Sequence, residues 1–359
     1  MHQSNYLLKT CVISLCALLT IPVFAKKNVA TITRLKGDVQ LLTNARSKPT
    51  GKGPWIKYEK MFYKLKKARV GSKLKNGNVL QSFGESKAML IYPNGDQINL
   101  APGSAYEISW DKSKKEGNTK IRMFYGRIRG VVSKTGPRKK LRIITPTAVA
   151  GVRGTDFSVS SSGSKTEVNV IRGKVELRPK SVKAKAVQIT QGVTGQVQMQ
   201  AQPPSGLPEK VSSGRSSRAP KIEYKPTAIL KQTSKEKLVQ IQNESTVKKT
   251  QAIDLKAGSL ETDLSETEKA ELKESIGQLS QLESKATENV LQEIKVYEPE
   301  QYQKIIAQET KPADVTEINT AVVAKLFKAA PAEEPKKSKF SEDDFDDLET
   351  NYYDKYFKE

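Results

Sequence analysis

The sequence predicts a mainly β protein, an antiparallel β-sandwich or barrel or a short β-solenoid, followed by a linker and a helical C-terminal region. From about Val29 to Met199, glycine, Pro-Gly or Asn-Gly signals recur every eight to twelve residues between short alternating apolar runs. Between Gln202 and Thr227 the composition turns to proline, glycine and serine, with little to bury. Beyond that break, apolar residues recur three or four apart, which is the helix period. The expected boundaries are an export signal over 1–25, an all-β domain over 26–200, a linker over 201–227, a mainly helical region over 228–330 and an acidic disordered tail over 331–359.

The first 25 residues place Lys9 ahead of an uncharged apolar run that ends in Val23-Phe24-Ala25, a pattern suited to signal peptidase. The run is short for a bilayer span, which needs about 20 apolar residues. Leu15 stands before Cys16 where lipoprotein processing wants a small residue. The expectation is cleavage after Ala25 and a periplasmic or secreted protein.

Within the β domain, "KAMLIYPNGDQINLA" reads as a hairpin: Met89 and Ile91 alternate with their neighbours, Asn94-Gly95 supplies a positive φ, and Ile98 and Leu100 return. "TEVNVIRGKVELRP" reads the same way, with Val168 and Val170 on one side of an Arg172-Gly173 turn and Val175 and Leu177 on the other. Similar runs elsewhere bring the expected count to ten strands or more. In the helical region, Ser265 and Glu268 have capping-box spacing. They precede a stripe of Leu272, Ile276, Leu279, Leu282, Ala286, Val290 and Ile294, which needs a partner surface. A second helix near 313–329 is expected to provide part of that surface, in an antiparallel hairpin.

The net charge of +22 is unevenly spread. Residues 26–220 hold 39 Lys and Arg against 11 Asp and Glu, and residues 221–359 hold 21 against 28. Two units with different surroundings are expected. The single histidine, His2, and both cysteines, Cys11 and Cys16, lie in the expected leader. A chain cut after Ala25 has no imidazole or thiol, so His- and Cys-based catalysis, disulfides and thiolate or imidazole metal sites are excluded. Carboxylate-pair hydrolysis stays open in principle, but most acids of the β domain stand beside turn residues, which explains them more simply. No catalytic residue, metal site or cofactor is expected.

"TPTAVAGVRGTDFSV", Thr145 to Val159, crowds glycines, an arginine and an aspartate into an apolar run. It lacks the Lys-Ser/Thr ending of a phosphate loop and the flanking helices of a KH clamp. It reads as a glycine-bent central strand in which Thr147 to Val152 fills the core and Arg153 pairs with Asp156 or with carbonyls at the bend.

Together with "TEVNVIRGKVEL", "VQITQGVTGQV" and the earlier "AMLIYPNGDQINLAPGSAYEI", this stretch resembles the periplasmic FecR domain over about residues 29–199. The resemblance implies a β-rich, non-enzymatic module that works by protein contact and relays an envelope state. The anti-sigma segment, transmembrane helix and C-terminal receptor-binding module of signalling members are not visible in the sequence, so direct sigma-factor control is not implied.

Three regions are candidates for partner binding. Arg153, Thr155 and Asp156 are the polar content of the signature. Trp55 and Tyr58 belong to a segment that interleaves aromatics with lysines, and Phe345, Tyr352 and Tyr353 punctuate the acidic tail. The expected partners are envelope proteins, an outer-membrane component among the candidates, with anionic wall polymer, lipopolysaccharide or lipid as the alternative. Self-association of the helical region is open, and export argues against nucleic acid.

Overall fold

The computed structural model describes residues 28–51, 55–111, 118–134, 141–180, 185–202, 223–247 and 265–307. The expected leader, the second helix near 313–329 and the acidic tail lie outside them. The described strands are β1 (Asn28–Lys36), β2 (Val39–Arg46), β3 (Trp55–Tyr58), β4 (Met61–Lys67), β5 (Lys73–Lys75) and β6 (Val79–Ser82). They continue as β7 (Lys87–Ile91), β8 (Gln97–Leu100), β9 (Ala105–Asp111), β10 (Asn118–Val132), β11 (Leu141–Ile144) and β12 (Ala148–Val152). The last are β13 (Thr155–Ser161), β14 (Lys165–Arg172), β15 (Lys174–Pro179), β16 (Val187–Thr190), β17 (Val193–Gln202) and β18 (Glu223–Gln232).

These strands form two sheets that share β10. The first runs β5-β1-β7-β8-β10-β13-β14-β17-β18. The second runs β3-β4-β2-β6-β9-β10-β11-β12-β15-β16. All described pairings are antiparallel except β10 with β11. From β7 onward the chain mostly lays down a hairpin in one sheet and then crosses to the other, so neighbours in sequence alternate between layers. One buried cluster joins Ile32, Leu90, Ile98, Phe157 and Val168 of the first sheet to Leu80, Ile108, Ile143, Val175 and Ile189 of the second. The architecture is therefore a two-layer sandwich closed by burial between the sheets.

Glycine makes both the crossing and the close packing possible. β10 leaves the second sheet and enters the first at Gly126, whose φ is 89° and where a Cβ would fall 2.4 Å from Ser104 Cα. At Gly195 the constraint is space alone, because a Cβ there would sit 2.2 Å from Ile189 Cδ1 of the facing sheet.

The crossings correct two readings of the sequence. Arg172-Gly173 does not close a hairpin: β14 belongs to the first sheet and β15 to the second, and the turn is a corner between them. Likewise Thr145 to Val159 is not a single bent strand but β12 and β13 in opposite sheets, joined at Arg153-Gly154. A glycine corner and a glycine hairpin look alike in sequence. The β7–β8 hairpin does form, with Gly95 at φ 86°. Its core side, however, is Leu90 with Ile98 and Leu100, while Met89 and Ile91 face outward into a cluster with Ala286.

The expected linker of 201–227 also needs correction, since its two ends are strand: β17 runs to Gln202 and β18 starts at Glu223, pairing over ten positions in register. Helix therefore begins later than residue 228. The helices are α1 (Lys235–Ser245), α2 (Glu266–Tyr297) and α3 (Pro299–Ala307). Ser234 caps α1 by accepting from the Lys237 N–H, and α2 opens with the expected Ser265–Glu268 capping box. The apolar stripe of α2 lies on the outer face of the first sheet. Ala286 meets Met89 and Ile91, and Val290 and Ile294 meet Val131, with Tyr302 and Ile305 of α3 closing over them. A smaller contact joins Ile171 of β14 to Leu238 and Ile241 of α1.

Gly195→Val is expected to force the two sheets apart locally and lower stability by about 1–3 kcal/mol, the usual cost of overpacking a dense core. The midpoint of urea unfolding checks this. An unchanged midpoint would mean that the layers are not in close contact there.

Candidate interaction surfaces

Asp156 stands on the outer face of the first sheet, between β10 and β14. Arg129 donates to it through Nε at 2.9 Å and Nη2 at 2.8 Å, and Arg172 donates through Nη2 at 2.8 Å. The Arg129 and Asp156 side chains are both 0% exposed. Two further groups come from the helices: Glu298, the C-cap of α2, lies 3.7 Å from Arg172 Nη1, and Gln242 of α1 accepts from Arg129 Nη1 at 3.3 Å. Two buried guanidinium groups thus meet two carboxylates, and the charge closes to zero only with the helix in place. Truncating one member of such a set leaves an uncompensated buried charge.

This geometry decides the fate of the signature candidates. Arg153 does not pair with Asp156; it is exposed at the corner between β12 and β13. Thr155 Oγ1 lies 3.2 Å from the Arg153 carbonyl and 3.0 Å from that of Lys174, both acceptors, so it fastens the corner. Asp156 is inaccessible. Sequence reasoning missed Arg129 and Arg172 as its partners. The signal was Arg127-x-Arg129 in a strand, whose spacing of two puts both cations on one face.

The rest of the helix–sheet contact is also largely ionic. Arg34 bonds Glu283 at 2.9 Å, Lys237 bonds Glu167 at 2.8 Å, Arg127 pairs with Glu244, and Lys66 pairs with Glu268. At the Asn94-Gly95 turn, Lys285 Nζ donates to the Pro93 carbonyl at 2.8 Å and Asn289 Nδ2 to the Asn94 carbonyl at 2.9 Å. Glu293 accepts from the Lys134 backbone N–H at 3.0 Å. Burial pushes the carboxyls of Glu293 and Glu298 above their ordinary range, against the pull of Arg172. At the other end of α2, hydrogen bonds from Lys66 and Ser265 hold Glu268 down to about 2.

Trp55 and Tyr58 are not brought together. They are three apart in edge strand β3 and so face opposite ways. Lys64 Nζ sits 5.5 Å from the Trp55 ring centroid, while Tyr58 packs edge-on to Phe124 at 5.1 Å in a cluster with Leu42, Tyr63 and Val79. Burial raises the Tyr58 hydroxyl pKa. Phe345, Tyr352 and Tyr353 lie outside the described residues.

Where α2 begins, a cleft of about 460 Å³ opens between its first turns and β2, β4 and β5. Lys66, Lys67, Arg69, Lys73 and Lys75 line it, opposed by Glu268 and Glu271. Leu41, Leu65 and Leu272 supply its apolar part.

Residues 78–176 match the FecR protein family. That span contains the shared strand β10, the signature stretch and all three members of the Arg129–Asp156–Arg172 cluster, whereas Glu298, the cleft cations and Trp55 and Tyr58 fall outside it. Two crystal structures of a proposed anti-sigma factor from Parabacteroides distasonis ATCC 8503 are similar at 17% identity and a TM-score of 0.29. The match covers 33% of this chain and 54% of theirs, so this chain spans about half the length of those proteins. No curated protein matches the chain.

Asp156→Ala should cost about 3–5 kcal/mol because it strands two buried guanidinium groups. Arg153→Ala should stay within about 0.5 kcal/mol, as for other exposed positions. Chemical denaturation of the two variants separates the internal-clamp reading from an exposed-site reading.

The two ends of α2 should also respond oppositely to pH. Glu293 and Glu298 have raised folded pKa values, so the docked state binds their protons more readily than the released helix. Docking of the α2–α3 junction should therefore tighten as pH falls from neutral toward the ordinary glutamate value of 4.5. The Glu268 contribution is present above 4.5 and is lost as pH falls toward about 2. Amide exchange at the two ends of α2, corrected for the intrinsic pH dependence of exchange, checks both signs.

Proposed function

We propose that this chain is a non-enzymatic, periplasmic FecR-domain protein that acts as a protein-binding, signalling or scaffold module of the bacterial envelope. The observation that carries this reading is the family match over residues 78–176, whose most distinctive polar residues are spent on an internal clamp and are not presented to a substrate. The apparent leader motivates the envelope location. Helices lie over the outer face of the first sheet, so contact with another protein falls to the second sheet, where Tyr125 is 37% exposed and Phe124 and Met61 are partly buried.

A photo-crosslinking residue placed in living cells at Tyr125 or Lys57 should give discrete adducts with one envelope protein. The same residue at Val131, under α2, should give none. No adduct at the second-sheet positions, or equal adducts from all three, would remove the reading.

The basic cleft favours a second reading, a structural envelope protein whose basic domain binds peptidoglycan, lipopolysaccharide or anionic lipid. That reading expects binding to isolated sacculi or anionic vesicles that weakens steeply with salt, because attraction to a polyanion works through counterion release and screening.

A further inference from the structure

We propose that the acidic, aromatic segment 341–354 of this same chain docks in the basic cleft at the start of α2 and covers it in the free protein. The segment reads "SEDDFDDLETNYYD": seven carboxylates, no cation and three aromatic rings. The cleft is its complement: five cations line it, of which Lys66, Lys73 and Lys75 pair with Glu268, Glu274 and Glu271, and the 41% exposed Leu65 is an apolar landing point. Its present pairs are open to exchange. The Lys75–Glu271 contact is long at 3.9 Å, and both side chains are more than a third exposed, as is that of Lys66 in its pair with Glu268. Exposed pairs of this kind are weak, so a dense carboxylate run can displace them.

The chain can reach. The cleft lies at the N-terminal end of α2, and α3 leaves from the C-terminal end, about 48 Å away for 32 residues at a rise of about 1.5 Å. Residues 308–340 must span that length. Their extended limit is about 109 Å, and about 78 Å with 313–329 counted as the helix the sequence predicts, so the length suffices in either case. A tethered segment is also present at a high effective concentration, which favours it over a free anion of equal intrinsic affinity. The docking is independent of which partner the second sheet binds.

Zero-length carbodiimide crosslinking of the full chain, followed by peptide mapping of the monomer fraction, tests the docking. Carboxylates of 342–354 should join Lys66, Lys67 and Lys75 at least about fivefold more often than Lys174 and Lys231, as expected for a tethered ligand at its site. The fourfold variant Asp343→Asn, Asp344→Asn, Asp346→Asn, Asp347→Asn, read at the remaining acids, should lose that preference. So should about 1 M salt, where the screening length falls to about 3 Å. Crosslinks spread evenly over surface lysines, crosslinks confined to dimers, or a preference that survives both treatments would overturn the proposal. None of these outcomes bears on the second-sheet crosslinking test, so the two ideas fail separately.

Discussion

The buried arginine pair on the outer face of the first sheet constrains everything built around it. Arg129 and Arg172 hold two positive charges where water does not reach, and Asp156 neutralises one of them. The second must be met from outside the sandwich, and Glu298 at the end of α2 meets it. An ionic set of this kind gains little stability over apolar packing but is costly to break. It therefore fixes where the helices sit more than how tightly they are held. The family match ends at residue 176, well before α2, so the matched span carries an unfinished charge set that a later part of the same chain completes.

That constraint is one of several ionic contacts between the helices and the β domain. Four helical acids, Glu244, Glu268, Glu283 and Glu298, are set against Arg127, Lys66, Arg34 and Arg172 of the β domain. The apolar part of the interface is narrow, confined to the patches around Met89, Val131 and Ile171. An interface made this way is specific in register, because Glu244, Glu268, Glu283 and Glu298 each meet a different cation.

Much of this was legible in sequence. Period-two patterning and frequent glycine gave a β domain, and the Ser265–Glu268 spacing gave the start of α2. The apolar stripe of α2 signalled a missing partner, and among the described residues that partner is the first sheet with α3. What stayed hidden depends on long-range pairing. Gly173 and Gly95 carry the same local signal, yet one turns a hairpin and the other crosses between layers, and only the contacts of Val175 and Val170 with opposite sheets separate them. Met89 and Ile91 looked like core because they are buried, and they are buried under α2. Asp156 was singled out correctly as unusual, but its partners lie 27 and 16 residues away on neighbouring strands, a separation that local spacing does not encode.

Covering one face of a basic sandwich with acidic helices leaves the positive excess elsewhere. On the first sheet Arg34, Arg127, Arg129 and Arg172 are met by Glu283, Glu244, Asp156 and Glu298, while lysines and an arginine line the cleft at the head of α2. Charge of this kind acts over distances set by ionic strength, so any contact it makes with an anion is weakened by salt. The arginine pair thus holds the helices over the first sheet, while Tyr125 of the second sheet is exposed among the described residues.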